Sequence, residues 1–153
     1  MRVVRDDSDN ATNPTIVLVH GSGHTSGAWG AVQSHLRHGS VAVDLPGRVD
    51  RVADIADVTL EAAAVSLAAD VDAQTDGPLV LVGHSAGGIV LPGLAARLVE
   101  RVQHVQHLVF VAGLSAPHGE TVMATVRPDA AELLATRLAA MRAEFAGCML
   151  EPD

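Results

Sequence analysis

Residues 79–88, LVLVGHSAGG, run four apolar side chains into a Gly-His-Ser-Ala-Gly-Gly turn, and residues 89–102, IVLPGLAARLVERV, follow at once. The first part is short and rich in Leu and Val, as expected of a buried strand; the second carries a helical apolar pattern. A serine at the sharp corner between them must take a strained backbone conformation, which needs small residues two before and two after it. Gly83 and Gly87 meet that demand, so Gly83-His84-Ser85-Ala86-Gly87 fits G-x-S-x-G. The corner exposes the Ser85 hydroxyl at a helix N-terminus, where amides and dipole favour developing negative charge. A nucleophile is one reading of Ser85; a helix-capping serine in a Gly-rich turn is the other.

Outward from this corner, strand and helix signals alternate. Upstream, a short strand is expected at residues 2–4, and Thr15–Val19 (TIVLV) reads as a buried strand that ends at His20-Gly21. The loop GSGHTSG follows, then a helix over residues 28–38 closed by Gly39, then a strand over 40–44 (SVAVD) broken by Leu45-Pro46-Gly47. Leu60, Ala64, Leu67 and Val71 recur at helical spacing, and Asp76-Gly77-Pro78 stops that helix. Strand 79–82, helix 86–101 and strand 105–112 (VQHLVFVA) come next. Leu134, Leu138, Met141 and Phe145 mark a last amphipathic helix opening near Pro128-Asp129. The alternation predicts an α/β fold with a parallel sheet, and 153 residues make one domain.

Composition removes several function classes. A net charge of −8 opposes nucleic-acid binding, and three aromatic residues (Trp29, Phe110, Phe145) offer no base-stacking platform. All ten basic residues are Arg, which excludes a Schiff-base lysine, a Ser-Lys dyad and a Walker P-loop. The lone Cys148 forms no internal disulfide and reads as a small hydrophobe. No apolar signal core or membrane-length run is seen, so a cytoplasmic protein without membrane contact is expected. His20 with His24, and His104 with His107, lack metal-ligand spacing and a nearby third ligand, so no metal site is expected. His35 and His38 suit the C-terminal end of the expected helix.

Two tight turns at strand ends face the edge where α/β sheets bind ligands. One holds Ser85; the other holds His20-Gly21-Ser22, whose Ser22 amide can join that of Ala86 as an oxyanion hole. A rival reading takes Gly21, Gly23 and Asp44, about 20 residues on, as an NAD(P)-binding Rossmann fingerprint. The third glycine, Gly27, comes one residue late for that motif, and GHSAGG stays unexplained.

The set TIVLVHGSGHTSGAW, VAVDLPGR, LVLVGHSAGG and LVFVAGLSAPHGETV resembles, in order and spacing, the α/β-hydrolase superfamily. The resemblance runs from about residue 15 to 125 and is strongest to the small esterase and hydroxynitrile-lyase-like branch. It implies that Ser85 is the nucleophile, that the Ser22 and Ala86 amides form the oxyanion hole, and that His84 is a neighbour in the turn rather than the base. It places Trp29 near the site, and it implies a small-molecule ester substrate and no cofactor. Pro92-Gly93, inside the helix after the elbow, departs from the pattern and is expected to kink it.

The triad acid and histidine of that superfamily follow later strands, and such single domains reach ~200–250 residues. The chain is therefore expected to be an N-terminal portion or a truncated gene product, with late strands missing and residues 113–153 opening the lid. The run Leu-Val-Phe-Val-Ala in strand 105–112 reads as buried on both faces; left as a sheet edge, it would favour self-association. His118 and Glu120, just beyond that strand, are the nearest candidates for a substitute base, against the plainer reading of a surface turn. A non-catalytic scaffold that keeps the elbow geometry is the alternative from outside enzymology.

Overall fold

The computed structural model describes residues 13–48, 58–101, 104–117 and 119–120, and helical positions 132, 133, 135, 136, 139 and 140. The strand expected at residues 2–4, His118, Cys148 and the apolar positions Leu134, Leu138, Met141 and Phe145 lie outside the described residues. The chain divides into two compact units, residues 1–114 and 115–153.

In the first unit the expected alternation is present. Strands β1 (Thr15–Val19), β2 (Ser40–Val43), β3 (Leu79–His84) and β4 (Val105–Val111) form one parallel sheet in the order β2-β1-β3-β4. Helix α1 (Gly30–Gln33) follows a 3-10 turn over Ser26–Trp29; α2 (Leu60–Asp72) and α3 (Gly87–Glu100) are the long helices.

Helix α2 starts where Thr59 accepts the Ala62 amide through its hydroxyl at 3.0 Å, a side-chain N-cap, with Glu61 in the first turn. Its buried face is Ala63, Ala64, Leu67, Ala68 and Val71; Leu60, expected on that face, is exposed. Helix α3 buries Val90, Leu91, Leu94 and Leu98 and continues through Pro92, which sits on its exposed side. Both helices pack on one sheet face, against Val17, Val19, Leu79 and Leu81, in a single apolar cluster. Small residues bring the helices close: a methyl group on Gly93 would stand 3.3 Å from the Ala64 Cβ.

At their outer edge the helices exchange ion pairs. Arg97 bonds Glu61 of α2 and Glu100 of its own helix, and Arg101 reaches Asp72 at 2.6 Å. The Glu61 bond, then Glu100, holds the Arg97 guanidinium above its ordinary pKa.

Two departures from expectation have local causes. The helix expected over 28–38 is only α1, because the Ser34 hydroxyl and His35 Nδ1 both hydrogen-bond the Ala31 carbonyl at 2.8 Å and end it. Strand β4 is not covered on both faces. It lies at the sheet edge, with Leu108, Val109, Phe110 and Val111 37% to 43% exposed. Among the described residues no helix is long and apolar enough to cross a membrane.

Candidate active site

The chain leaves β1 for β2 on one side of the sheet, and β3 lies on the other side of β1. That makes the C-terminal ends of β1 and β3 the topological switch point, where a crevice opens in α/β sheets. Two turns meet there, one running on from His20 and one centred on Ser85.

Ser85 adopts φ 49°, in the left-handed region that a non-glycine residue enters at a cost of ~1–3 kcal/mol. The turn is held on several sides. The Ser85 amide donates to the Val111 carbonyl at the end of β4 (3.1 Å), while its own carbonyl accepts from Gly88 (3.0 Å) and Leu114 (2.9 Å). Gly83 and Gly87 are needed for closeness. A Cβ on Gly83 would lie 2.9 Å from the Gly87 backbone, and one on Gly87 only 2.6 Å from the His20 carbonyl oxygen. Gly21 closes the facing side, where a Cβ would meet His84 Nδ1 at 3.0 Å and Ser85 Cβ at 3.1 Å. The two turns are thus packed backbone to backbone.

Concavities open on either side of this junction. One, of about 280 Å³, is lined by both Ser22 and Ala86, with Leu45, Arg48, Leu60 and Ile89 among its walls. Among the described residues the Ser22 and Ala86 amides have no hydrogen-bond acceptor. The other, of about 270 Å³, is lined by His20, His24, Trp29, His84 and Val111. There the Trp29 and His84 rings meet edge-on at 6.4 Å, and His24 meets His84 at 5.9 Å. Trp29 therefore stands beside the turn, and its buried Nε1 has no partner among the described residues.

Sequence reading missed a hydrogen-bond network next to this site. His20, 1% exposed, uses Nδ1 on the Gly21 carbonyl (2.8 Å) and accepts the Leu45 amide at Nε2 (3.2 Å). Asp44 accepts the Ser26 amide and hydroxyl, each at 2.7 Å, and so anchors the start of the 3-10 turn. The signal was available: Val19 pairs with Val43, so the next residues, His20 and Asp44, emerge side by side. This engagement removes the acidic residue of the rival dinucleotide reading. The Asp44 carboxylate is committed to Ser26, and Gly21 and Gly23 serve a turn packed on the Ser85 corner rather than a phosphate cradle.

His118 lies outside the described residues, and the Glu120 amide closes a turn onto the Pro117 carbonyl at 3.1 Å. Among the described residues, no three His, Cys, Asp or Glu side chains are grouped to hold a metal ion.

A strand–turn–helix corner with a left-handed serine, set against a second turn at the switch point, agrees with the sequence comparison: residues 16–152 match the model of the Alpha/beta hydrolase family. The chain belongs to the alpha/beta hydrolase family.

Within this alpha/beta hydrolase the likeness extends to curated relatives. The chain is 30% identical over 112 residues to a carbendazim hydrolyzing esterase of Nocardioides sp. (strain SG-4G), covering 71% of this chain and 45% of that protein. It is 38% identical over 88 residues to lipase LipV of Mycobacterium tuberculosis (strain H37Rv), covering 57% of this chain and 33% of the lipase. Among solved structures, a pyrethroid hydrolase from Sphingobium faniae JZ-2 superposes with TM-score 0.62 at 28% identity, over 75% of this chain and 46% of that one. The chain thus spans less than half the length of each of these proteins.

Proposed function

We propose that this chain carries the nucleophile and oxyanion hole of a serine hydrolase acting on small carboxylic esters. The observation that carries the reading is Ser85 itself, a non-glycine residue at φ 49°. In a nucleophile elbow such strain at a strand-to-helix corner serves to expose the serine hydroxyl beside the amides that open the helix, and this supports the reading.

In the proposed reaction Ser85 Oγ attacks the ester carbonyl carbon and yields its proton to a general base. The carbonyl oxygen becomes an oxyanion held by the Ser22 and Ala86 amides, worth ~2.7–4 kcal/mol per donor in comparable sites. Collapse releases the alcohol, and water then attacks the acyl-enzyme to release the acid. His20 is a poor base, since both ring nitrogens are engaged by backbone groups. No described residue is assigned as base or acid, and residues 113–153 are read as the opening of a lid. The esterase and lipase relatives support an ester substrate.

Hydrolysis of p-nitrophenyl butyrate by the chain and by its Ser85→Ala variant tests the proposal. The expected result is turnover that falls ~10³-fold or more in the variant. Equal rates would leave a scaffold that keeps only the geometry of the elbow.

A further inference from the structure

The cavity shared by Ser22 and Ala86 has a mainly apolar wall that also carries the polar side chains of Ser22, Thr59 and Arg48. Leu45, Pro46, Val58, Leu60 and Ile89 supply walls, and Arg48 supplies a guanidinium. Among the described residues no Asp or Glu lines this cavity. Arg48 makes one hydrogen bond, from Nη1 to the Gly47 carbonyl at 3.2 Å, and has no carboxylate partner among the described residues. Its behaviour contrasts with Arg97 and Arg101, each of which is paired with carboxylates on the outer surface.

A guanidinium has five N–H donors in a planar fork that matches a carboxylate, and a single backbone bond leaves most of them available. The cavity volume of about 280 Å³ lies at the lower end of ligand sites, ~300–1,000 Å³, which suits a short chain rather than a long lipid. The space therefore offers two amides, a mainly apolar wall and a cation. A short acyl chain bearing a second carboxylate has the complementary sequence of groups.

We infer that Arg48 is a specificity-determining residue that binds a carboxylate on the acyl part of the substrate. The substrate class is then half-esters of short dicarboxylic acids. This inference rests on the hydrolase reading for the word substrate, but the binding of the carboxylate does not depend on a working nucleophile.

The test is therefore made in the full chain carrying Ser85→Ala, by NMR titration with monomethyl glutarate and with its neutral amide, methyl glutaramate. The half-ester binds at least ~10-fold more tightly than the amide at low salt, as a charge-assisted pair requires. Adding Arg48→Gln brings the two affinities within about twofold, and Arg48→Lys, which keeps charge but loses the fork, gives an intermediate ratio. Equal affinities in the Ser85→Ala protein, no binding of either ester, or a preference that survives Arg48→Gln would overturn the inference. The two failures separate cleanly. A carboxylate preference that follows Arg48 while Ser85 resists a reactive phosphonate leaves the subsite standing without the hydrolase; a labelled Ser85 with no preference does the reverse.

Discussion

The His20 Nε2 lies 3.4 Å from the Asp44 carboxylate and accepts the Leu45 amide at 3.2 Å. The Leu45 amide can only donate, so Nε2 must be the accepting nitrogen, and the Gly21 carbonyl can only accept, so the proton is on Nδ1. His20 is a latch between the loops that follow β1 and β2, and Asp44 accepts the Ser26 amide and hydroxyl. His20→Ala removes the acceptor of the part-buried Leu45 amide and one of two donors to the Gly21 carbonyl, which keeps the His24 amide, and is expected to cost ~1–3 kcal/mol. Urea unfolding checks this; a midpoint unchanged from the parent protein would show that water replaces the imidazole without loss.

Glycines at the two turns and in α1 predict opposite outcomes for the same substitution. Gly87→Ala drives a methyl to 2.6 Å from a backbone oxygen that no side-chain rotation can relieve, and overpacking of this kind costs ~1–3 kcal/mol or more. Gly30→Ala meets nothing within 4 Å at helical φ −53° and should stabilise by ~0.5–1 kcal/mol. Thermal melts of the two variants should therefore move in opposite directions.

The α2–α3 layer is held by apolar packing more than by its ion pairs. Leu94 is fully buried in the central cluster, and Leu94→Ala is expected to cost ~2–5 kcal/mol. The Arg101–Asp72 pair is partly exposed, so Asp72→Asn should cost no more than ~1 kcal/mol, and less in high salt. Denaturant titrations in low and high salt compare them directly.

The four strands and two long helices of the first unit lie within a few residues of where hydrophobic patterning puts them, because burial against a sheet leaves a periodic mark in the chain. Position in the sheet leaves none. VQHLVFVA has the pattern of a covered strand, yet β4 is an edge strand exposed along most of its length. Ser85 was legible because G-x-S-x-G between strand and helix encodes its own backbone demand. The His20–Leu45 latch was not, because it depends on chain segments that meet only once the sheet has formed. Helix α1 was overextended because Ser34 and His35 act through side-chain bonds to Ala31, which apolar spacing does not register.

The exposed β4 edge should make the chain self-associate with concentration. Val109 is 41% exposed there, and Val109→Lys places a charge on a surface that another strand would have to pair with. Sedimentation velocity over a concentration series should show association in the parent protein and less of it in the variant. Identical behaviour of the two would move the association surface elsewhere.

The central claim is that Ser85 is a nucleophile poised by its strained turn, and a fluorophosphonate followed by peptide mass mapping tests it without any assumption about substrate. The account predicts one phosphonyl adduct on the peptide carrying Ser85, absent in Ser85→Ala. A parent protein left unmodified, or modified equally in the variant, would contradict it.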